Sequence, residues 1–230
     1  MPVLRAAAAA LLAVTVVDVC ETATPQTRDT STRVLPRVDE GARDLSWIAF
    51  RDRLLTAVRA RDRAYVVNVL DPDVANSISQ ENPGIANFQR QWKLDADPDR
   101  SPLWSVIETV LTLGGTFIRP DTFCAPYVYT RFPRGLSPFD HGVVVRANAP
   151  VFARPTTSSP VVTSLSFEIV RTEPLPAPER FEQPGWILVH ASNGQSGYMQ
   201  KVDVRSPLDY RACFTKRDGV WKMALLVAGD

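Results

Sequence analysis

The stretch Trp186–Val204, WILVHASNGQSGYMQKVDV, places two apolar, β-branched runs on either side of Asn193-Gly194. An Asn-Gly pair between two such runs is a strong short-range signal for a β-hairpin. A phosphate-binding loop would lead its glycines into a helix, usually with Lys-Ser or Lys-Thr, whereas GQSGYM leads into another extended run. The stretch therefore predicts two strands, with Gly197 allowing close approach of a neighbouring strand.

The residues on both sides of this hairpin continue the strand pattern. Residues 143–173, VVVRANAPVFARPTTSSPVVTSLSFEIVRTE, break into short runs at Pro and Ser turns, and a proline-rich insert follows at residues 174–184. Regularly spaced short strands predict a small β-barrel over residues 137–206. Residues 207–230 predict a closing hairpin around Asp218-Gly219. Alternation assigns one face of its two arms to Tyr210, Ala212, Phe214, Trp221, Met223 and Leu225.

The preceding part of the chain, residues 44–115, has helical periodicity. In residues 44–62, DLSWIAFRDRLLTAVRARD, the apolar residues recur at three- and four-residue spacing, and Asp44 or Ser46 can cap the helix. Asp62 can cap a second helix that ends by Asp71-Pro72, and residues 73–84 predict a loop. Ile85, Phe88 and Trp92 indicate another helix, and Ser101-Pro102 begins one that Gly114-Gly115 stops. Three or four short helices are expected before residue 116. Residues 116–132, TFIRPDTFCAPYVYTRF, favour strands instead.

The first residues resemble a targeting segment. Arg5 followed by about twelve apolar residues, Ala6–Val17, has the length of a signal-peptide core and is shorter than the roughly twenty residues of a membrane span. We expect a signal peptide over residues 1–23, a polar linker over residues 24–43, an exported protein of the periplasm or cell envelope, and no stable membrane span after cleavage. Lipidation at Cys20 is an alternative that Asp18-Val19 fits poorly, and a cytosolic protein with an apolar N-terminus is another.

Composition narrows the partners and raises the question of a disulfide. The formal net charge is +1, which provides no electrostatic attraction for nucleic acid. Beyond the predicted signal peptide, Cys124 and Cys213 form an even pair, which in an oxidising compartment is a disulfide candidate. Two separate buried thiols are the alternative.

Residues 141 to about 206 resemble bacterial Src-homology-3-like (SH3-like) domains of the cell envelope. The resemblance is carried by VVVRANAPVFARPTTSSPVVTSL, FEIVRTE and GWILVHASNGQSGYMQKVDV, in that order. It implies a small barrel that binds peptide or peptidoglycan and catalyses nothing. It also implies a ligand groove with Trp186 and Tyr198, and with Arg154 and Phe152 nearby. Trp186 as plain barrel core is the alternative, and the insert at residues 174–184 departs from the family pattern beside the groove.

The flanking segments resemble cone-shaped α+β domains of the nuclear-transport-factor type. FRDRLLTAVRARDRAYVVNVLDPDV looks like the opening helices of such domains, and DGVWKMALLVAGD looks like their closing strand. The predicted fold class is therefore α+β: a helical or α+β region at residues 44–136, the SH3-like barrel, and a C-terminal hairpin that can complete the first domain. A Cys124–Cys213 bridge would fit that arrangement.

Catalytic and metal-binding residue sets are weak in this sequence. The two histidines, His141 and His190, are too few for a recognisable zinc hydrolase, so neither a metal site nor a cofactor is expected. The Glu81 and Glu108 carboxylates could in principle serve glycoside hydrolysis, but solvated surface positions are their ordinary role. We expect a non-enzymatic envelope protein that binds peptide or peptidoglycan. The alternatives are a cell-wall hydrolase with an unrecognised catalytic N-terminal domain and a structural accessory protein that docks a protein partner.

Overall fold

The computed structural model describes residues 34–77 and 83–229. The predicted signal peptide, Cys20, the first part of the predicted linker and Glu81 therefore lie outside the described residues. Over these described ranges the fold is mixed α+β, with six α-helices and twelve strands in two sheets. The α+β class predicted from the sequence is confirmed.

The helices and strands follow each other in this order along the chain. The helices are α1 Leu45–Arg59, α2 Arg63–Asn68, α3 Ile85–Gln91, α4 Leu103–Thr112, α5 Tyr127–Arg131 and α6 Glu179–Glu182. The first six strands are β1 Leu70–Ala75, β2 Thr116–Arg119, β3 Thr122–Ala125, β4 His141–Val144, β5 Ala149–Phe152 and β6 Val161–Leu165. The last six are β7 Ile169–Glu173, β8 Trp186–His190, β9 Ser196–Gln200, β10 Val204–Arg205, β11 Arg211–Arg217 and β12 Val220–Val227.

The first sheet has five strands in the order β1-β12-β11-β3-β2. Helices α1 to α4 contribute to one aromatic-rich core with this sheet. Its largest fully buried members are Trp47, Phe88, Phe123 and Phe214. The caps expected at the helix starts are present. Asp44 accepts hydrogen bonds from the Ser46 and Trp47 amides, Asp62 accepts one from the Tyr65 amide, and the Ser101 hydroxyl accepts one from the Leu103 amide.

The chain leaves the first sheet after β3 and comes back to it at β11. Strand β11 pairs with β3 and β12, and β12 also pairs in parallel with β1. The register places Cys213 opposite Cys124, and their sulfurs lie 2.05 Å apart, consistent with the disulfide candidate. Neighbouring positions Phe123 and Ala125 belong to the aromatic core, so alternation places the bridge on the opposite face of the sheet.

The second sheet has seven strands in the order β10-β4-β7-β8-β9-β5-β6, all antiparallel. Side chains from all seven strands share one interior cluster. It consists of Val144, Ala149, Val151, Leu165, Val170, Val189, Ala191, Met199 and Val204, with Ile187 packed against it. The sheet is therefore curved around its own core. Among the described residues no ladder joins β6 to β10, so this sheet is not a closed barrel, and the SH3-like form of the predicted barrel stays a prediction.

Three local expectations are also corrected. The start of the predicted loop at residues 73–84 belongs to strand β1. Local sequence does not reveal this strand, because it forms by parallel pairing with the distant strand β12. Pro72 is tolerated because β1 is an edge strand. Within the stretch expected to favour strands, Tyr127–Arg131 is a short helix after Pro126. In the tail hairpin, an irregular register between Cys213 and Phe214 buries Leu226 in the core in place of Leu225.

The described part of the predicted linker, residues 34–43, is packed between the two sheets. The Leu35 amide donates to the Phe167 carbonyl, and the Glu40 amide donates to the Gly115 carbonyl. Leu35 and Val38 pack on a buried cluster that α5 shares with β4 and β7. The polar composition of residues 34–43 did not predict this packing. Two apolar side chains and backbone hydrogen bonds are enough to fix an otherwise polar segment.

Candidate functional site

The outward-facing side of the second sheet brings together three of the four residues expected in a ligand groove. Phe152 lies directly opposite Tyr198 in the β5–β9 ladder, and Phe152 and Trp186 meet edge to face with ring centroids 5.5 Å apart. Arg154 lies in the turn between β5 and β6 and is exposed. Its side chain makes no hydrogen bond or ion pair within the described residues.

Trp186 lies outside the interior cluster but is not open to solvent. Leu175, from the proline-rich insert, packs with Phe152 and Trp186, and Trp186 is only 9% exposed. Trp186 is therefore buried, in a cluster separate from the interior core of the sheet, and the insert covers the expected groove at this point. Tyr198 packs against the same cluster and stays partly accessible.

Direct cross-strand pairs extend this aromatic cluster into a row across five strands, here called the outer row. Its members, from β6 to β7, are Val161, Phe152, Tyr198, Leu188 and Glu173. Directly opposite residues point to the same face with their Cβ atoms about 5 Å apart, so the row is continuous. Local sequence patterns do not reveal the places of Val161, Leu188 and Glu173 in this row, because they do not determine a register across five strands.

A second row, here called the polar row, lies two residues further along the strands. Its members are Ser196, His190, Arg171 and His141. The His190 Nδ1 atom lies 2.8 Å from the Ser196 hydroxyl, and its Nε2 atom lies 3.3 Å from a Glu173 carboxylate oxygen without hydrogen-bond alignment. Arg171 also pairs with Glu173. Hydrogen bonds from Ser137 and then His141 hold the pKa of Asp140, beside His141, below its ordinary value.

The polar row does not form a recognised catalytic arrangement. Ser196 meets His190 on the outward-facing side of the sheet, and Ser196 is exposed. A serine nucleophile needs exclusion of water, which an exposed position does not provide. The row offers hydrogen-bond donors and acceptors beside an aromatic surface.

Four concavities of about 420 to 600 Å³ lie on the first sheet and its helices. The largest of these four is lined by arginines, acidic residues and Trp104, among them Arg59, Arg61, Arg100, Asp99 and Glu108. Glu108 forms an ion pair with Arg59 at 2.8 Å, and Glu81 lies outside the described residues. The carboxylate pair considered for glycoside hydrolysis is therefore not assembled by the residues described.

Within residues 34–77 and 83–229, no group of three or more His, Cys, Asp or Glu side chains is placed to hold a metal ion. In the same ranges no helix is both long enough and apolar enough to cross a membrane.

Comparisons with known proteins return no match. No protein-family model matches the chain, and neither curated proteins nor solved structures include a significant match. The likeness to SH3-like domains therefore stays a resemblance, carried by the motifs and their order.

Proposed function

We propose that this chain is an exported, non-catalytic envelope protein that binds peptide or peptidoglycan on the outer face of its second sheet. The observation that carries the proposal is the outer row. It places Phe152, Tyr198 and Leu188 side by side on a face that the interior core does not use.

The position of Tyr198 supports binding, because its ring stays partly accessible on top of the buried cluster of Phe152, Trp186 and Leu175. The interior of the second sheet is already filled by Val, Ala, Leu and Met side chains. Aromatic side chains outside that core are not needed to fill it, and a ring such as that of Tyr198 can stack on a sugar ring or a proline face. Arg154, exposed and without a partner in the described residues, can pair with a ligand carboxylate.

The polar row gives the same face a means of orienting a ligand. Ser196 and His190 are exposed or partly exposed, and Arg171 has an exposed guanidinium group beside Glu173. An apolar surface with a few placed polar groups is the usual composition of a specific binding site. The disulfide between Cys124 and Cys213 is compatible with the export part of the proposal, since such bonds persist in oxidising compartments.

Sedimentation with purified peptidoglycan tests this function. The wild-type protein should sediment with the polymer, and Tyr198→Ala should lower the affinity by roughly tenfold, since one stacked ring contributes on the order of 1 kcal/mol. Trp186→Ala should also weaken binding, although its contacts with Phe152 and Leu175 make it the less specific variant. Tyr129→Ala is the matched control, because Tyr129 is a 39% exposed tyrosine on α5, outside both rows.

The same assay separates the alternative functions. Release of soluble fragments from peptidoglycan would favour a cell-wall hydrolase. Absence of sedimentation in wild type, with no binding of peptides either, would reject the proposed function and leave a structural accessory protein. Equal loss in Tyr129→Ala and Tyr198→Ala would show that the outer row does not contact the ligand.

A further inference from the structure

The two sheets have four edge strands, and three of them carry features that prevent strand addition. Exposed edges invite pairing with another chain, and proteins block them with charge, proline, short length or covering groups. Strand β1 contains Asp71, Pro72 and Asp73. Strand β2 ends in Arg119, and its Phe117 amide donates to the Glu40 carboxylate at 3.0 Å.

The third protected edge is β10, which is only two residues long and ends in Arg205. Short length leaves few backbone groups for an added strand. Charge and proline in β1, a side-chain hydrogen bond to the β2 backbone and the short length of β10 each hinder strand addition, so edges of both sheets are protected.

The fourth edge, β6, has almost none of this protection. It is five residues long, Val161–Leu165, with no charged residue and no proline inside it. Among the described residues it pairs with β5 alone. Val161 and Val162 are 53% and 40% exposed. The β5–β6 pairing shifts register at Val162, opposite Val151 and Phe152.

A single positive charge lies at the start of β6. Arg154 is the only charged residue in residues 149–167. The Ala153 amide donates to the Pro160 carbonyl at 2.9 Å, which holds the turn containing Arg154 next to the N-terminal end of β6. A strand added antiparallel to β6 would end there, so its C-terminal carboxylate would lie beside Arg154.

We propose that the β6 edge binds an extended peptide of L-amino acids by antiparallel strand addition, with the peptide's C-terminal carboxylate paired with Arg154. This rests on the proposed function, because Val161 is also the end of the outer row and an added strand would prolong that row by one side chain. Backbone hydrogen bonds supply affinity in this mode, and alternate side chains supply selectivity. Peptidoglycan stem peptides mix L- and D-residues and do not form a regular strand, so they would engage the outer row without occupying this edge.

The test uses a fluorescein-labelled heptapeptide that alternates valine with serine or threonine and ends in a free carboxylate. Fluorescence anisotropy on the full chain should show saturable binding, and amide hydrogen exchange should slow at residues 161–165. Val162→Lys adds the charge that other edges carry and should weaken binding at least about tenfold. Val220→Lys is the matched control, since Val220 is a 55% exposed valine at the start of β12.

Two modified peptides separate backbone pairing from charge pairing. N-methylation of alternate peptide amides should abolish binding if the backbone pairs with β6, because those amides can no longer donate. Amidation of the peptide C-terminus should weaken binding to wild type and have no further effect on Arg154→Ala.

Several results would overturn the inference. The inference fails if the heptapeptide does not bind, or if Val162→Lys binds it as tightly as wild type does. It also fails if amide hydrogen exchange slows only at residues outside β6. A concentration-dependent dimer that Val162→Lys dissociates in the absence of peptide would assign the edge to a second copy instead. Retained sedimentation with peptidoglycan in any of these cases would leave the proposed function standing and reject the strand-addition mode alone.

Discussion

The two sheets of this molecule use their aromatic side chains in opposite ways. The five-stranded sheet buries them beneath its helices, where Trp47 contacts the rings of Phe123, Phe214 and Trp221. The seven-stranded sheet fills its interior with aliphatic side chains and places Phe152, Trp186 and Tyr198 on its outward-facing side. Rings of the first sheet lie in its main core, whereas on the second sheet Phe152 and Trp186 form a small separate buried cluster and Tyr198 stays partly accessible.

This difference follows from how each sheet is covered. A sheet packed on four helices leaves an interior that large rings fill. A sheet curved around its own core has a narrow interior, so small and branched residues fit it best. The aromatic residues of the second sheet lie on its other face, where the insert residue Leu175 packs with Phe152 and Trp186.

The largest test of this contrast compares two tryptophans. Trp47→Ala should lower the free energy of unfolding by about 3–5 kcal/mol, since Trp47 is fully buried and stacks on Phe123 at 4.1 Å. Trp186→Ala should cost less, about 2 kcal/mol, because the insert can relax onto the vacated space. Urea unfolding of both variants measures the difference. Equal losses would break the contrast, since Trp186 would then be as much a core residue as Trp47.

The disulfide gives an effect of similar size and joins two strands of the first sheet. The Cys124–Cys213 bridge closes a loop of sequence separation 89, and in the chain-entropy model its removal costs about 4–5 kcal/mol. The variant Cys124→Ala/Cys213→Ala should show that loss in urea unfolding and still bind peptidoglycan. Mass spectrometry of the unreduced exported protein provides the control, because two free thiols there would show that the bridge does not form. Loss of binding with the fold intact would mean that the second sheet depends on the bridge.

Local sequence signals predicted elements of both sheets but not how they pair. Helical periodicity and capping residues such as Asp44, Asp62 and Ser101 marked the helices, because the relevant contacts lie within one or two turns. The Asn193-Gly194 and Asp218-Gly219 turns marked two hairpins for the same reason. Strand β1 was missed because its partner β12 lies far along the chain.

The candidate site was predictable only in part. The resemblance to SH3-like domains selected Phe152, Trp186 and Tyr198, and the structure brings these three together. It did not select Leu175, whose position depends on how an insert foreign to the family pattern folds back. The open edge at β6 was likewise beyond the sequence, because an edge is defined by the absence of a neighbouring strand.

A smaller effect is expected from the ion pair between Arg146, just after β4, and Asp203, just before β10, at one end of the second sheet. The Arg146 guanidinium makes two hydrogen bonds to the Asp203 carboxylate, at 2.6 and 3.1 Å, and Asp203 is buried. Asp203 in turn raises the pKa of Arg146. Arg146→Ala should lower stability by about 2 kcal/mol, because a buried carboxylate is left unpaired. Arg146→Ala/Asp203→Asn should recover part of the loss; no recovery in urea unfolding would show that Arg146 acts through packing alone.

The smallest effect concerns the start of α1 and depends on pH. Asp44 caps this helix, and its hydrogen bond from the Ser46 hydroxyl, followed by its contact with Lys216, lowers its pKa from 3.8 to about 2. A depressed carboxyl pKa stabilises the folded state above about pH 4, and this contribution is lost as the pH falls from about 4 to 2. Asp44→Asn keeps a capping oxygen and removes the charge, so it should cost about 1 kcal/mol at neutral pH, a value reduced by solvent screening. Urea unfolding at several pH values should show wild type and variant converging near pH 2. A difference that stays constant across this range would show that the charge of Asp44 contributes nothing, and that α1 is held to the first sheet by the aromatic core around Trp47 alone.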